Sequence, residues 1–342
     1  MDLPIYNSFA EKEKFFNIII VDSIDKLKEV ITENSEGQGI YRGVSSAKYK
    51  IYTSLQRQII FNDLTSFDLK QYVNNTRNSE VLSKYFANFN IPPSKLSIYS
   101  YLQHFGAPSP YIDFSTNFTK ALYFGIENFD NSNFTASDSI NDYISVFVIE
   151  SNDLELVEIP KVISSLKKSK ELSQSFLEHY DDYNYNNFIS HIDDLLDINT
   201  LPIYLIDHRK DFVDIYNTYN NIRIIAQEGL FLSNTYLDKS LEEALREFFI
   251  EATQFQSSPW DEDDSALAVK INEQYHEDLE KNKVFQKRLE DNIIKSYEIN
   301  KNLIPEIQKL VDISKDDIYP NPEDIVRQIF ETTLEKEKNT QR

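Results

Sequence analysis

The sequence predicts an α+β fold in which a sheet core is followed by a mainly helical C-terminal part. Three observations carry this. Short apolar, β-branched runs recur up to about residue 235, amphipathic segments of helical period separate them irregularly, and helical patterning dominates afterwards. With 342 residues, 41% of them hydrophobic and 13% aromatic, the chain can bury a sizeable core. Six Gly and 11 Pro argue against a turn-dense all-β protein.

The first strand is "FNIIIVDS", continuous and β-branched, closed by an Asp-Ser cap. "SIDKLKEVITEN" follows as a helix, since Ile24, Leu27, Val30 and Ile31 share one face. "GQGIYRG" is a turn feeding a short strand, and "YKIYTSLQRQII" sets Arg57 after an aromatic, β-branched segment. Residues 66–90 read as helical and end before Pro92-Pro93. "PSKLSIYSYLQHFG" has an N-cap at Ser94 or Ser97 and stops at Gly106, "APSP" is a loop, and "YIDF" is a short strand. In "STNFTKALYFGIEN" the residues Phe118, Ala121, Leu122, Gly125 and Ile126 follow the helical repeat, with Ser115, Thr116 and Asn117 as cap candidates. "DYISVFVIE" is a strand. Residues 161–199 are polar and helical in pattern, and a polar helix near 209–218 separates "LPIYLID" from "NIRIIAQEGLFLSN", both read as strands. "LEEALREFF" and a long stretch from about 281 to 311 read as helices. "NPEDIVRQIF" starts with an Asn321 cap and Pro322 at the first helical position.

The 35 Lys plus Arg against 56 Asp plus Glu give a formal net charge of −21, which disfavours nonspecific binding to phosphate backbones or anionic lipid. No cysteine is present, so disulfides, thiolate metal sites and a cysteine nucleophile are excluded. The N-terminus lacks the pattern of a signal peptide, and "FFNIIIV" is too short to span a bilayer, so a soluble cytoplasmic protein without membrane association is expected. The chain has no GxxxxGK[ST], HExxH or GxSxG motif, and "DEDD" at 261–264 reads as a solvated loop, so no metal is expected.

Three segments carry candidate chemistry. Arg42, in "GIYRGVSS", ends a strand beside Tyr41, and Gly43 would let an anionic ligand approach; alternatively Arg42 pairs with one of the many carboxylates. In residues 101–127 a helix start offers unpaired N–H groups beside Ser115 and Thr116, after Asp113 and downstream of Gln103 and His104. The bland alternative is that Ser115 merely caps. In "RIIAQEGLFL", Gln227 and Glu228 interrupt an apolar strand; alternation makes Gln227 a same-face neighbour of Arg223 with Glu228 opposite, unless Gly229 breaks the strand and leaves both at a wet end.

In order along the chain, "YRG", "LQR", "LQHFGAPSPYIDFSTNFTKALYFG", "RIIAQEGLF" and "VDISKDDIYPNPEDIVRQI" resemble the FRG domain family, from about residue 21 to 329. Two departures stand out: "PSP" replaces the family's Pro-Thr-Arg, putting Pro110 where its arginine falls, and "IDFS" replaces Leu-Asp-Trp-Thr while keeping Asp113 and Ser115. More distantly, "YRG", "DFSTNFTKALYF" and "AQEGLF" are similar to ADP-ribosyltransferases of the arginine–serine–glutamate type. That resemblance implies a fold of their kind, with a mixed or antiparallel sheet core, a helical insertion and a helical C-terminal part. Together with the patterning, the FRG resemblance implies a single FRG-type domain over residues 1–342, with its core at about 15–235, the insertion at about 160–200 and the helical part at about 240–335. The ADP-ribosyltransferase resemblance further implies NAD as substrate, with no metal. Arg42 would hold the diphosphate and Ser115 would orient the ribose. Tyr101, Phe105 or Tyr123 would stack on nicotinamide, and Gln227 or Glu228 would stabilise the oxocarbenium-like centre. If the arginine missing from the FRG pattern held a phosphate, Arg42 or Arg57 must do so alone here. The function so implied is an ADP-ribosyltransferase or NAD glycohydrolase acting as an intracellular toxin or anti-phage effector, with a protein or nucleic-acid acceptor and a neutralising or regulatory partner. The other reading is a non-catalytic module that binds a nucleotide or an acidic partner segment.

Overall fold

The computed structural model describes residues 2–37, 39–127, 129, 139–150, 203–207, 222–254, 280 and 282–340 apart from 285 and 288. The expected helical insertion at 160–200, the helix near 209–218 and "DEDD" lie outside these residues.

The elements run α1 (Phe9–Lys12), β1 (Phe16–Val21), α2 (Ile24–Glu33), β2 (Gly39–Val44), α3 (Ser54–Phe61), α4 (Leu69–Arg77), α5 (Glu80–Asn88), α6 (Lys95–His104), β3 (Tyr111–Ser115) and α7 (Phe118–Ile126). They continue with β4 (Tyr143–Glu150), β5 (Ile203–Ile206), α8 (Ile222–Ala226), β6 (Gly229–Asn234), α9 (Leu241–Gln254), β7 (Ile294–Asn300), α10 (Ile304–Leu310), α11 (Lys315–Ile318) and α12 (Pro322–Thr340). Polar caps set many of the helix starts: Ser23, Ser94 and Asn117 each accept from a backbone N–H in the first turn, and Thr53 with Gln56 forms a reciprocal capping box.

Among the described residues seven strands form one mixed sheet in the order β1-β7-β4-β2-β3-β6-β5, with β1 and β7 parallel and every other pair antiparallel. The sheet is nearly two sheets. β2 and β4 are registered over six residue pairs, yet β2 meets β3 only at Tyr41 and Ser115.

Burial follows this division. One face is continuous: Ile40, Ile112, Phe114, Phe147, Leu230 and Leu232 are covered by Leu241, Leu245 and Phe249 of α9. On the other face the helices fall into two groups. α2 and α7 cover Tyr41, Val146, Val148 and Ile299, whereas α4, α5, α6 and α8 contribute to a separate cluster around Tyr111, Tyr204 and Phe231. The seam between the groups lies where β2 and β3 part.

Beneath α1, Lys12 and Glu298 form an ion pair of 2.6 Å with both side chains fully buried. The Lys12 ammonium also donates to the Ala47 carbonyl and Ser145 Oγ and stands 4.8 Å from the centre of the Phe147 ring. Burial pushes the Lys12 pKa down, against the opposing pull of Glu298.

Two expected elements are corrected. The supposed helix over 281–311 is interrupted by β7, which lies between β1 and β4. Its text "IKSYEIN" reads as polar because Glu298 and Ser296 are buried there, satisfied by Lys12 and Ser145. The supposed strand "NIRIIAQEGLFLSN" is the short helix α8, a turn at Gln227-Glu228, and β6 starting at Gly229. Of the isoleucines in α8 only Ile224 is buried, while Ile222 and Ile225 are exposed, a burial pattern for a helix resting on one side.

Candidate functional site

At the parting of β2 and β3 a cavity of about 350 Å³ opens, lined by Tyr41, Arg42, Gly43, Gln103, His104 and Asp113, with Phe114, Ser115, Phe124, Arg223, Gln227 and Tyr319. This volume is within the range of small-molecule sites. Residues from β2, α6, β3, α7, α8 and the segment after α11 therefore converge, although some are separated by nearly 280 positions in the chain.

Arg42 is the central group. Its Nη1 donates to the Asp113 carbonyl oxygen at 2.6 Å, and no carboxylate lies within ion-pairing distance of it among the described residues. Burial pushes its pKa below the ordinary arginine value, opposed by the Asp113 charge and reinforced by the nearby Arg57. Arg57 sits on α3, donates to the Tyr52 carbonyl, and is shifted down by burial against the same opposing Asp113 charge. It does not line the cavity. Asp113 is the one acidic side chain among the described lining residues, which also include Arg42 and Arg223. Its carboxylate is already held: Gln103 Nε2 donates to Oδ2 at 2.5 Å, while Gln103 Oε1 accepts from Ser54 and Ser109. Gln103 is thus a clamp on Asp113 as well as a wall of the cavity.

His104 packs its ring 5.2 Å from Phe231, and its Nε2 is buried without a hydrogen-bond partner among the described residues. Burial lowers its pKa, Asp113 opposes the shift and Arg223 adds to it, so the imidazole is neutral at pH 7.

Several expected roles change. Most N–H groups at the start of α7 are already engaged: Asn117 Oδ1 accepts from Thr119 and Lys120, Ser115 Oγ accepts from the Asn117 N–H, and the Thr116 N–H donates to the Glu228 carbonyl. Ser115 also donates its hydroxyl proton to the Gln227 carbonyl at 2.7 Å, so it ties β3 to the turn before β6. Thr116, Tyr123 and Glu228 do not line the cavity. Glu228 adopts a left-handed backbone (φ 46°), which turns its carboxylate outward to Lys120 at 2.7 Å and to Asn117 at 3.2 Å. Gln227 faces the cavity instead, its Nε2 donating to the Ile318 carbonyl. Arg223 joins it because the two are one helical turn apart, with the Gln227 N–H bonded to the Arg223 carbonyl. Alternation along a strand had paired them for a different reason.

Gly43 does not make room for a ligand by lacking a side chain. A Cβ there would stand 1.7 Å from the Ala121 carbonyl oxygen, so the glycine lets α7 lie directly on β2. Tyr41, two residues earlier on the same face, is 1% exposed and packs edge-on against Phe118. Tyr101 stacks on Phe105, packs at an angle against Tyr85 and edge-on against Phe86 of α5, and does not line this cavity.

Tyr319 escaped the sequence reading. It follows α11, and its hydroxyl donates to Glu127 at 2.9 Å, which fixes the C-terminal segment against the end of α7. Its stretch, "VDISKDDIYPNPEDIVRQI", is one of those that resemble the FRG family, but nothing in it marks Tyr319 in particular.

Residues 37–133 match the family model of the FRG domain. The chain carries an FRG domain. The match spans β2 to α7 and so includes Arg42, Gln103, His104, Asp113 and Ser115, while Arg223, Gln227 and Tyr319 come from beyond it. No curated protein and no solved structure matches the chain. Among the described residues no group of three or more His, Asp or Glu could hold a metal ion, and no helix is long and apolar enough to cross a membrane.

Proposed function

We propose that the FRG domain binds a nucleotide through its phosphates in this cleft and acts on NAD, as an ADP-ribosyltransferase or an NAD glycohydrolase. The carrying observation is Arg42: a guanidinium pushed off its ordinary pKa by burial, with no carboxylate in ion-pairing range among the described residues, in a chain of net charge −21. Arg42 is part-buried, so its charge is partly withdrawn from water; an anion that met it would offset that loss, and a diphosphate supplies one in bidentate form. Arg223 adds a second positive charge to the wall. The order of the Arg42, Ser115 and Gln227 segments along the chain supports NAD as the nucleotide. In this reading Arg42 and Arg223 take the phosphates, and the Asp113 carboxylate and Gln227 amide are the polar groups available to a cationic sugar centre as nicotinamide leaves. A chain that consumes NAD inside a cell would serve as a toxin or an anti-phage effector, restrained by a neutralising or regulatory protein.

Two observations favour a second reading, a nucleotide sensor without turnover: the Ser115 hydroxyl is engaged with the Gln227 carbonyl, and Glu228 is turned away in an ion pair with Lys120. Incubation with NAD, followed for nicotinamide release and for label transfer to lysate proteins, separates the two. Turnover by the wild type that is lost in Arg42→Met and Gln227→Ala and kept in Glu228→Ala supports the enzyme. Saturable ADP-ribose binding without release, abolished by Arg42→Met, supports the sensor. Absence of both binding and release removes both readings.

A further inference from the structure

Beside the Arg42 cavity lies a second, larger and more open one of about 930 Å³, and the two share Gln103, His104, Arg223 and Tyr319 as a common wall. The rest of its lining differs in character. Phe105, Ile222, Pro320 and Pro322 are apolar, joined by Gly106 and Asn321.

Phe105 is the unusual member. It is 56% exposed, a position where a large aromatic ring loses the benefit of burial. It is nevertheless held in place: it is the C-cap residue of α6, its N–H donates to the Tyr101 carbonyl, and its ring stacks on Tyr101 at 4.4 Å with 30° between the planes. Tyr101 is in turn wedged against Tyr85 and Phe86. One face of Phe105 is therefore supported by the Tyr101 ring, itself packed at an angle against Tyr85 and Phe86, on the border of a cavity that is also lined by the Arg223 guanidinium and by His104, whose Nε2 has no hydrogen-bond partner among the described residues. A rigid exposed ring next to a guanidinium is the arrangement that binds a planar base joined to phosphates.

We propose that this second cavity is the base subsite of the ligand, with Phe105 as the stacking platform and His104, in the shared wall, facing the sugar that links base to phosphate. The inference rests on the nucleotide reading above and adds to it. The ligand is a nucleotide with an intact base, its phosphates are held at Arg42, and Phe105 determines affinity without touching them. The 350 Å³ cavity alone takes the phosphate portion; the two together accommodate a nucleoside diphosphate.

The test is calorimetric titration of the full chain with inorganic pyrophosphate, ADP and ADP-ribose, for the wild type, Phe105→Ala, Phe105→Trp and Arg42→Met. Phe105 is exposed, so its variants are expected to fold as the wild type does, and circular dichroism checks this. The expected result is that Phe105→Ala weakens ADP and ADP-ribose about tenfold or more, leaves pyrophosphate unchanged, and is rescued by Phe105→Trp. If pyrophosphate and ADP bind the wild type equally well, or Phe105→Ala leaves ADP binding intact while Arg42→Met abolishes pyrophosphate binding, the base subsite is refuted and the phosphate cleft stands. If Arg42→Met binds pyrophosphate as the wild type does, or nothing binds the wild type, the underlying nucleotide reading fails, and the subsite with it.

Discussion

Replacing Gly43 by alanine distinguishes two explanations of the glycine in "YRG". The added methyl would lie 1.7 Å from the Ala121 carbonyl oxygen and 2.8 Å from the Gly125 nitrogen. Both are backbone atoms, so no side-chain rotation relieves the clash. Restoring ordinary contact requires α7 to withdraw from β2 by roughly 1.7 Å, which opens gaps around Phe118, Ala121 and Leu122. Overpacking costs ~1–3 kcal/mol, and a clash with backbone on both sides belongs at the upper end, about 3 kcal/mol. Equilibrium urea unfolding followed by far-ultraviolet circular dichroism should show the midpoint falling by about 1 M, taking an m-value near 3 kcal/mol/M. Gly106→Ala is the comparison: nothing lies within 4 Å of its Cβ position, but its φ of +79° makes alanine strained, for a smaller loss of about 1–2 kcal/mol. A Gly43→Ala protein that unfolds at the wild-type midpoint yet loses ligand affinity would refute the packing argument and return the glycine to the ligand.

Three further outcomes are expected. Arg42→Met should leave the urea midpoint unchanged or raise it, because no carboxylate loses an ion-pair partner, while pyrophosphate binding disappears; a clear loss of stability would mean that Arg42 serves the fold. Lys12→Met should cost about 3–5 kcal/mol by leaving Glu298 buried without its partner, and adding Glu298→Gln should recover part of that loss in a double-mutant cycle. His104, whose folded pKa lies below 6.5, is a base that the unfolded chain protonates more readily, so its contribution to stability is complete above pH 6.5 and declines as the pH falls from there through the lowered folded value. Midpoints measured between pH 7.5 and 5 should show that decline in the wild type and a shallower one in His104→Gln.

The parts of the fold legible in the sequence were those where local patterning and tertiary burial agree. β1, α2, α6 and β4 all follow their apolar periods, and Asn117 stood among the cap candidates of α7. β7 was hidden because its glutamate is neutralised by a lysine almost 290 positions away, and no local pattern records such a partner. α8 was misread because β-branched isoleucines suit a strand, whereas only Ile224 finds a surface to cover. Of the candidate residues read from the sequence, Tyr41, Arg42, Gly43, Gln103, His104, Asp113, Ser115 and Gln227 line one cavity, whereas Arg57, Thr116, Tyr123 and Glu228 do not. The sequence did not indicate which atoms were already engaged. That depends on orientation: the left-handed turn at Glu228 points the carboxylate outward, and the Ser115 hydroxyl is spent on a neighbouring carbonyl.

The strand order also constrains how the chain acquires its shape during synthesis. Among the described residues β1 has only β7 as a neighbour, so an N-terminal strand made early waits for one made some 270 residues later. Until Asn300 has left the ribosome, a row of isoleucines stays without its permanent partner and β4 lacks one edge. Such distant closure slows folding and leaves nascent chains in need of chaperones. It also withholds the Tyr319 wall until last, so a half-made polypeptide carries the arginine of the cleft but not the enclosure around it.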